Sequence, residues 1–462
     1  VTQQQQTAHG GTGFLDNEAG CIYQVYTLSA LILMPLAQTY YEATSPGYAA
    51  RPQLSHDIDT DICIIGGGFA GLWTARALQK RHKEVVLIER GKVAGGASGR
   101  NGGFVSAGFN QSLAAIAGRV GMDQARALYR LSRMGVEIVR EETAAGFPGV
   151  NIVPGYLHAA CDEDADAAKR EADWYGREFA HDREFWPRER VREVLRSESY
   201  HHGLHDADAF HIHPRNLAIA LAEDIERRGG KIYEDTAALR ADIDGVRKIV
   251  TTPRGTIRAE HVVFAANEFP AGDFPGLSRT VIPVATYLGV TKPASEKLAE
   301  AIRYAGCIQD GRHAFNYYRV IGDRLMWGAG ISTSLKRPAG LEEMLRRRIV
   351  SVFPQLSGLE IESAWTGIMG FSIHRMPQIG MLRPGAWIAG AFGGQGLNTT
   401  AMAGELIASA IAEKDDRWRL FIPFGLVWAG GWFGKAYAQT KWWSRMLQDR
   451  IGNERRKRKK AA

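Results

Sequence analysis

Between residues 61 and 88 the spacing of apolar side chains changes period twice. Residues 61–65 (DICII) form a short apolar run expected of a buried strand, 72–81 (LWTARALQKR) carry helical spacing, and 84–88 (EVVLI) read again as a strand. Farther on, helical periodicity runs through 112–142, and residues 281–291 and 324–328 read as strands of a second sheet. Near the C-terminus 386–391 (AWIAGA) reads as a strand that meets a glycine-rich turn and then an apolar-periodic helix over 400–412 (TAMAGELIASAIA). This pattern predicts an α/β fold.

Composition narrows the picture. The 462 residues are 45% hydrophobic and 23% charged, enough for one large domain or two to three smaller ones. Glycine is in excess, 52 residues against 17 prolines, which points to close backbone approaches in a folded chain and excludes a collagen-like or disordered one. Cys21, Cys63, Cys161 and Cys307 lie far apart, without metal or redox spacing. They argue against a zinc site, a redox dithiol and a disulfide framework, and a reducing, cytoplasmic setting is expected. The net charge of +7 comes almost wholly from the run 455–460 (RRKRKK), read as a solvated, disordered tail rather than a contact for nucleic acid or acidic lipid. Residues 22–37 are apolar but too short to span a membrane as a helix, and no Lys or Arg precedes Arg51 as a secretory signal requires. Residues 1–38 are therefore read as a disordered extension. The aromatic-rich stretch 421–443 suits a membrane interface, but packing on its own domain is favoured.

The chemistry sits in the glycine-rich turns. Gly66-Gly67-Gly68-Phe69-Ala70-Gly71, between the first strand and its helix, has the order of a dinucleotide turn. Gly66 permits the sharp turn, Gly68 lets a pyrophosphate approach the backbone, and Gly71 lets helix and strand close, with phosphate at the positive helix N-terminus. Glu89 ends the second strand, 18 residues beyond Gly71, where a carboxylate accepts hydrogen bonds from a ribose. Ala97-Ser98-Gly99-Arg100-Asn101-Gly102-Gly103 is a second small-residue loop along which an extended cofactor would run. Gly393, Gly394, Gly396, Leu397 and Asn398 open the C-terminal apolar helix, whose N-terminus would stabilise negative charge on a reduced flavin. That second element favours FAD over NAD. Most of the histidines of segment 201–213, which also holds Asp206 and Asp208, are read as loop or packing residues, and no metal site is expected.

These motifs, in this order, resemble the D-amino acid oxidase superfamily, most closely its gamma-glutamylputrescine oxidase-like branch. The likeness continues through Phe210-His211-Ile212-His213-Pro214, Asn316-Tyr317-Tyr318-Arg319 and Arg375-Met376-Pro377-Gln378, and covers roughly residues 39–445. It implies an FAD-binding Rossmann-like domain (55–111, 212–275 and 363–425) interleaved with a substrate domain on a mostly antiparallel sheet (112–211 and 276–362). A C-terminal segment, 426–454, and the tail 455–462 follow. The resemblance adds Arg90, Ala238 and Ala265 to the FAD site, and Tyr317, Tyr318, Arg319, His374 and Arg375 to a substrate pocket. Relatives that oxidise alpha-amino acids resemble W-x-G-x-R-P where this chain has Trp365-Thr366-Gly367-Ile368-Met369. Their arginine pairs with the substrate carboxylate, a contact of about 1.5–3 kcal/mol. Here the position is Met369. Sarcosine oxidases attach flavin through a cysteine in this region, whereas no cysteine follows Cys307, so noncovalent FAD is expected.

The expected activity is FAD-dependent amine oxidation, in which hydride leaves the carbon bearing a neutral amine and the imine hydrolyses to aldehyde and ammonia. A small-molecule amine and oxygen or another electron acceptor are the expected partners, with no nucleic acid and membrane contact not favoured. The cofactor performs the redox step, so no residue is assigned as acid or base. Two alternatives stay open: a membrane-associated D-amino acid dehydrogenase passing electrons to quinone, and a non-catalytic flavin-binding structural protein.

Overall fold

The computed structural model describes residues 38–45, 47–144, 146–267, 274–312 and 315–461. It opens on a one-turn helix, α1 (Tyr40–Thr44), closed by a reciprocal cap in which the Thr39 hydroxyl accepts from Glu42 N–H and the Glu42 carboxylate from Thr39 N–H. Then come β1 (Ile58–Ile65), α2 (Phe69–Gln79), β2 (Val85–Ile88), α3 (Met122–Ala144), β3 (His202–His211), α4 (Pro214–Arg227), β4 (Lys231–Tyr233) and β5 (Gly255–Asn267). The second half holds β6 (Ile282–Thr291), β7 (Asn316–Ile321), β8 (Arg324–Ser332), β9 (Ile361–Phe371), β10 (Gln378–Arg383), β11 (Ala386–Gly390), α5 (Gly396–Glu413) and α6 (Gly431–Ala461).

The strands form two sheets. In the first, the order β10-β11-β5-β1-β2-β4 is parallel apart from β10 at the edge. Its central strands are apolar throughout because both faces are covered. Ile64 and Leu87 pack with Leu72, Leu221 and Ile407 from α2, α4 and α5, while Cys63 and Val86 pack with Leu54, Val250 and Leu277 on the other side. The second sheet runs β9-β6-β8-β7, then Cys307–Asp310, Val153–Ala160, β3 and Phe104–Val105. Its pairs are antiparallel except Cys307–Asp310 against Val153–Ala160. An α/β dinucleotide layer interleaved with a mostly antiparallel sheet is thus the architecture, as the sequence predicts.

Several boundaries shift. β9 pairs along its length with β6, so residues 363–371 belong to the second sheet and the dinucleotide part resumes only at β10. Phe104–Val105 likewise pairs with β3. α3, expected in the substrate domain, buries Leu128, Val136 and Val139 in the same core as α2 and α5. Local periodicity identifies each element correctly but carries no information on which sheet it joins. The basic run 455–460, read as disordered, continues the backbone of α6 to Ala461. The extension expected over 1–38 lies outside the described residues apart from Gln38. Among the described residues no helix is long and apolar enough to cross a membrane.

Candidate active site

The turn after β1 is shaped by what cannot fit there. Gly66 has φ of 120°, and a Cβ on it would lie 2.7 Å from the Ala265 carbonyl oxygen. A Cβ on Gly71 would overlap the Gly66 carbonyl, so α2 starts against the end of β1 only with glycine at both positions. The first-turn N–H groups of α2, Phe69, Ala70 and Gly71 among them, have no intrahelical acceptor. Phe69 N–H donates instead to Ser98 Oγ at 2.9 Å, an oxygen at the site where helix termini take anionic oxygens. Glu89 accepts from Gly67 N–H at 2.7 Å and from Gly91 N–H at 2.8 Å. Gly67, given no role in the sequence reading, is thus the residue against which the carboxylate lies; its signal was a glycine between Gly66 and Gly68, where the motif does not require one. Arg90 is exposed. Ala238 follows Thr236, whose N–H donates to the Glu89 carbonyl at 2.8 Å.

The second loop is locked by its own side chains. Ala97, Ser98 and Gly99 form a 3-10 turn, and Asn101 Nδ2 donates to the Ala97 and Ser98 carbonyls while its Oδ1 accepts from Gly103 N–H. Gly102 lies under the Tyr317 ring, where a Cβ would come within 3.1 Å of Cε2. Arg100 is 5% exposed; its Nε donates to the Gly95 carbonyl, it pairs with Glu42 at 3.5 Å, and its Nη1 has no hydrogen-bond partner. Arg215, another buried arginine, has an equally unpartnered Nε, and burial holds both guanidinium pKa values below the usual arginine range. A cradle without Cβ atoms, a helix N-terminus and buried cationic donors left over fit a pyrophosphate-bearing dinucleotide such as FAD.

At the other end of the site, α5 begins without a side-chain cap, leaving its N-terminal field open. Gly393 (φ 59°) and Gly394 are held by Asn110, whose Nδ2 donates to the Phe392 carbonyl at 2.8 Å and whose Oδ1 accepts from Gly394 N–H. Asn398, one residue past Leu397 in the first turn of α5, donates to the Gly108 carbonyl, and Gln395, just before Gly396, donates to Ser106 Oγ. Loop 106–110, unnoticed in the sequence, therefore clamps the N-terminal end of α5. No spacing marks Asn110, because its partners are 282 and 284 residues away.

Strand alternation divides the expected pocket residues. Tyr317 faces the glycine loop and hydrogen-bonds Thr286 Oγ1 at 3.1 Å. Tyr318 points to the opposite face, stacked on Trp327 at 4.2 Å and hydrogen-bonded to Tyr200; it is a core residue, not a pocket one. Arg319 is also withdrawn: it is 3% exposed, with Nη1 on His211 Nδ1 at 2.5 Å and Nη2 on Tyr41 Oη at 2.9 Å. Tyr41 in turn donates to the Asn101 carbonyl. Burial and Arg319 push His211 down to about 3. His374 uses both ring nitrogens, Nδ1 accepting from Met376 N–H and Nε2 donating to the Gly425 carbonyl, so it shapes a turn; burial lowers its pKa. Met369 lies opposite Val284 on β6, and its Sδ is 3.9 Å from where a Cβ on Gly394 would be. Arg375 is exposed, in a left-handed conformation (φ 65°), and forms no ion pair among the described residues. Desolvation and nearby Arg445 lower its pKa.

The histidine-rich segment is a strand, β3, rather than a loop. His181, Asp206 and Asp208 bring ligand atoms within 4.8 Å of one another, yet these atoms serve a network: His181 bonds Tyr129 Oη and Asp206, and Asp206 accepts from Asp208 N–H.

The profile of the FAD dependent oxidoreductase (DAO) family matches residues 61–410. Over 391 residues the chain is 32% identical to the gamma-glutamylputrescine oxidoreductase of Escherichia coli (strain K12), covering 83% of this chain and 91% of that protein. It is 28% identical over 396 residues to the probable oxidoreductase OrdL of Haemophilus influenzae, covering 83% and 89%. Glycine oxidase from Geobacillus kaustophilus has a similar fold, with a TM-score of 0.67 at 23% identity over 80% of this chain and 98% of that one.

Proposed function

The chain belongs to the FAD dependent oxidoreductase family, and from that premise we propose that it oxidises an amine whose reacting carbon carries no carboxylate, of the gamma-glutamylputrescine class. Met369 carries the reading. Its thioether, beside Val284 and the Gly394 turn, fills with apolar atoms the position at which alpha-amino acid oxidisers resemble one another in an arginine. A substrate carboxylate there would be desolvated without a partner.

Bound FAD supplies the hydride acceptor. The protein's residues orient the amine and exclude water: Tyr317 and Thr286 present hydroxyls on the cofactor side of the second sheet, and Arg375, which forms no ion pair among the described residues, is the cation offered to a carboxylate remote from the amine. Noncovalent binding of FAD is supported by the burial of Cys63, Cys161 and Cys307. Burial pushes the Cys63 thiol up to about 12 and raises that of Cys307, so neither supplies a thiolate for attachment.

Anaerobic flavin bleaching against gamma-glutamylated amines, polyamines and D-amino acids tests this reading. Gamma-glutamylated amines should bleach fastest. Equal or faster bleaching by simple D-amino acids would replace it with the amino acid dehydrogenase. Acid precipitation should leave FAD in the supernatant, and flavin in the pellet would refute noncovalent binding.

A further inference from the structure

Among its described side chains, α6 meets the protein by one side. Gln439 accepts from Thr333 N–H at 2.9 Å, Trp442 is 5% exposed, and a Cβ on Gly434 would lie 3.6 Å from Ile282 Cδ1. A different side of the same helix is apolar and uncovered. Trp432 and Phe433 are 73% and 74% exposed, and Tyr437, Trp443, Leu447 and Ile451 are exposed with them. At 3.6 residues per turn these six fall within an arc of about 140°. The repeats Phe433–Tyr437 and Trp443–Leu447–Ile451, each four apart, make the stripe continuous. A surface of this size and aromatic content marks a docking site.

Charge identifies the occupant. The sequence of α6 holds ten Lys or Arg residues against two acidic ones, Asp449 and Glu454. Lys441 is exposed with its ammonium 5.6 Å from the Tyr437 ring centroid, at the edge of the stripe. A second copy of α6 would bring like charge against like. Residues 22–37, the other apolar segment of the chain, carry no charge to answer ten cations. We propose that α6 lies in the interface of an anionic lipid bilayer, its Trp432–Ile451 stripe buried at the headgroup level, Lys441 at the edge of that stripe meeting acidic headgroups and the excess of cations in the helix's sequence drawing it to the surface.

The test floats full-length, flavin-loaded protein with vesicles of phosphatidylcholine alone or mixed equally with phosphatidylglycerol. Binding to the mixed vesicles should exceed that to phosphatidylcholine by roughly tenfold or more at about 0.1 M salt, and largely vanish at about 1 M, where the Debye length falls to about 3 Å. Trp432→Ser/Phe433→Ser/Trp443→Ser should lower binding by roughly tenfold or more while flavin content is kept. Lys441→Glu should weaken binding with the apolar stripe intact, and it carries the test should the triple variant lose its flavin. Failure to bind the mixed vesicles, equal binding to both kinds, or undiminished binding by flavin-loaded triple variant would overturn the proposal. So would a dimer that the triple variant dissociates, which assigns the stripe to a second copy.

Discussion

Gly328 on β8 makes room for the ring of Tyr317: a Cβ at residue 328 would overlap that ring, which is also pressed against Gly102 of the cofactor loop. The two strands are directly paired at this point, Tyr317 opposite Gly328. Tyr317 thus transmits the position of the second sheet to the loop 97–103.

Gly328→Ala should therefore push Tyr317 toward Gly102 and break its hydrogen bond to Thr286. Overpacking of this kind costs about 1–3 kcal/mol. Thermal unfolding should report that loss, and flavin retention should fall with it. An unchanged melting temperature and flavin content would show that the ring has space to move.

Glu89 offers a test of the dinucleotide end. Its carboxylate orders Gly67 and Gly91 through two backbone N–H groups. Glu89→Ala should weaken FAD binding by about 1.5–3 kcal/mol, the scale of hydrogen bonds to a charged group, without unfolding the chain. Reconstitution of apoprotein followed by flavin fluorescence measures this, and unaltered affinity would remove Glu89 from the site.

What could be read in the sequence was local. β1, the glycine turn, α2 and Glu89 follow one another within 32 residues, and period and turn chemistry suffice to place them. The period-2 rule also separates Tyr317 from Tyr318, although the resemblance grouped them. Hidden were the long-range ties: Arg319 reaches Tyr41 across 278 residues and His211 across 108, and no periodicity records such a meeting. A guanidinium free to anchor substrate in sequence proves to be a brace between α1, β3 and β7. Arg375, by contrast, is exposed and forms no ion pair among the described residues.

The brace titrates. Burial and the Arg319 guanidinium hold His211 at about 3, far below the ordinary histidine value near 6.5. In the window between, the unfolded chain binds a proton that the folded one refuses. The stability involved is therefore complete above about pH 6.5 and is lost as pH falls toward 3. His213, pushed down to about 4, acts with the same sign. Melting temperature and flavin retention should both fall from about pH 7 to about pH 5. His211→Asn keeps an acceptor for Arg319 but cannot titrate, and should flatten part of that slope. An identical slope in the variant would detach His211 from the acid response.

Met369 supplies the sharpest test of substrate class. A bidentate arginine–carboxylate contact of about 1.5–3 kcal/mol corresponds to roughly 10- to 150-fold in binding. On the proposed reading the wild-type chain makes no such contact, so D-alanine or glycine should reduce its flavin more slowly than a terminal amine by a margin readable in stopped flow. Met369→Arg should raise the rate with alpha-amino acids and lower it with the terminal amine, because the new cation lies beside the Gly394 turn. An unpaired guanidinium among Ile282, Val284 and Phe371 also costs stability, so the variant should melt earlier and recover in part when an alpha-carboxylate is added. Met369→Leu, of similar volume, should leave the wild-type ranking in place. If Met369→Arg folds, retains FAD and still ranks its substrates as wild type does, residue 369 does not meet the substrate carboxylate, and the assignment to amines without one loses its support.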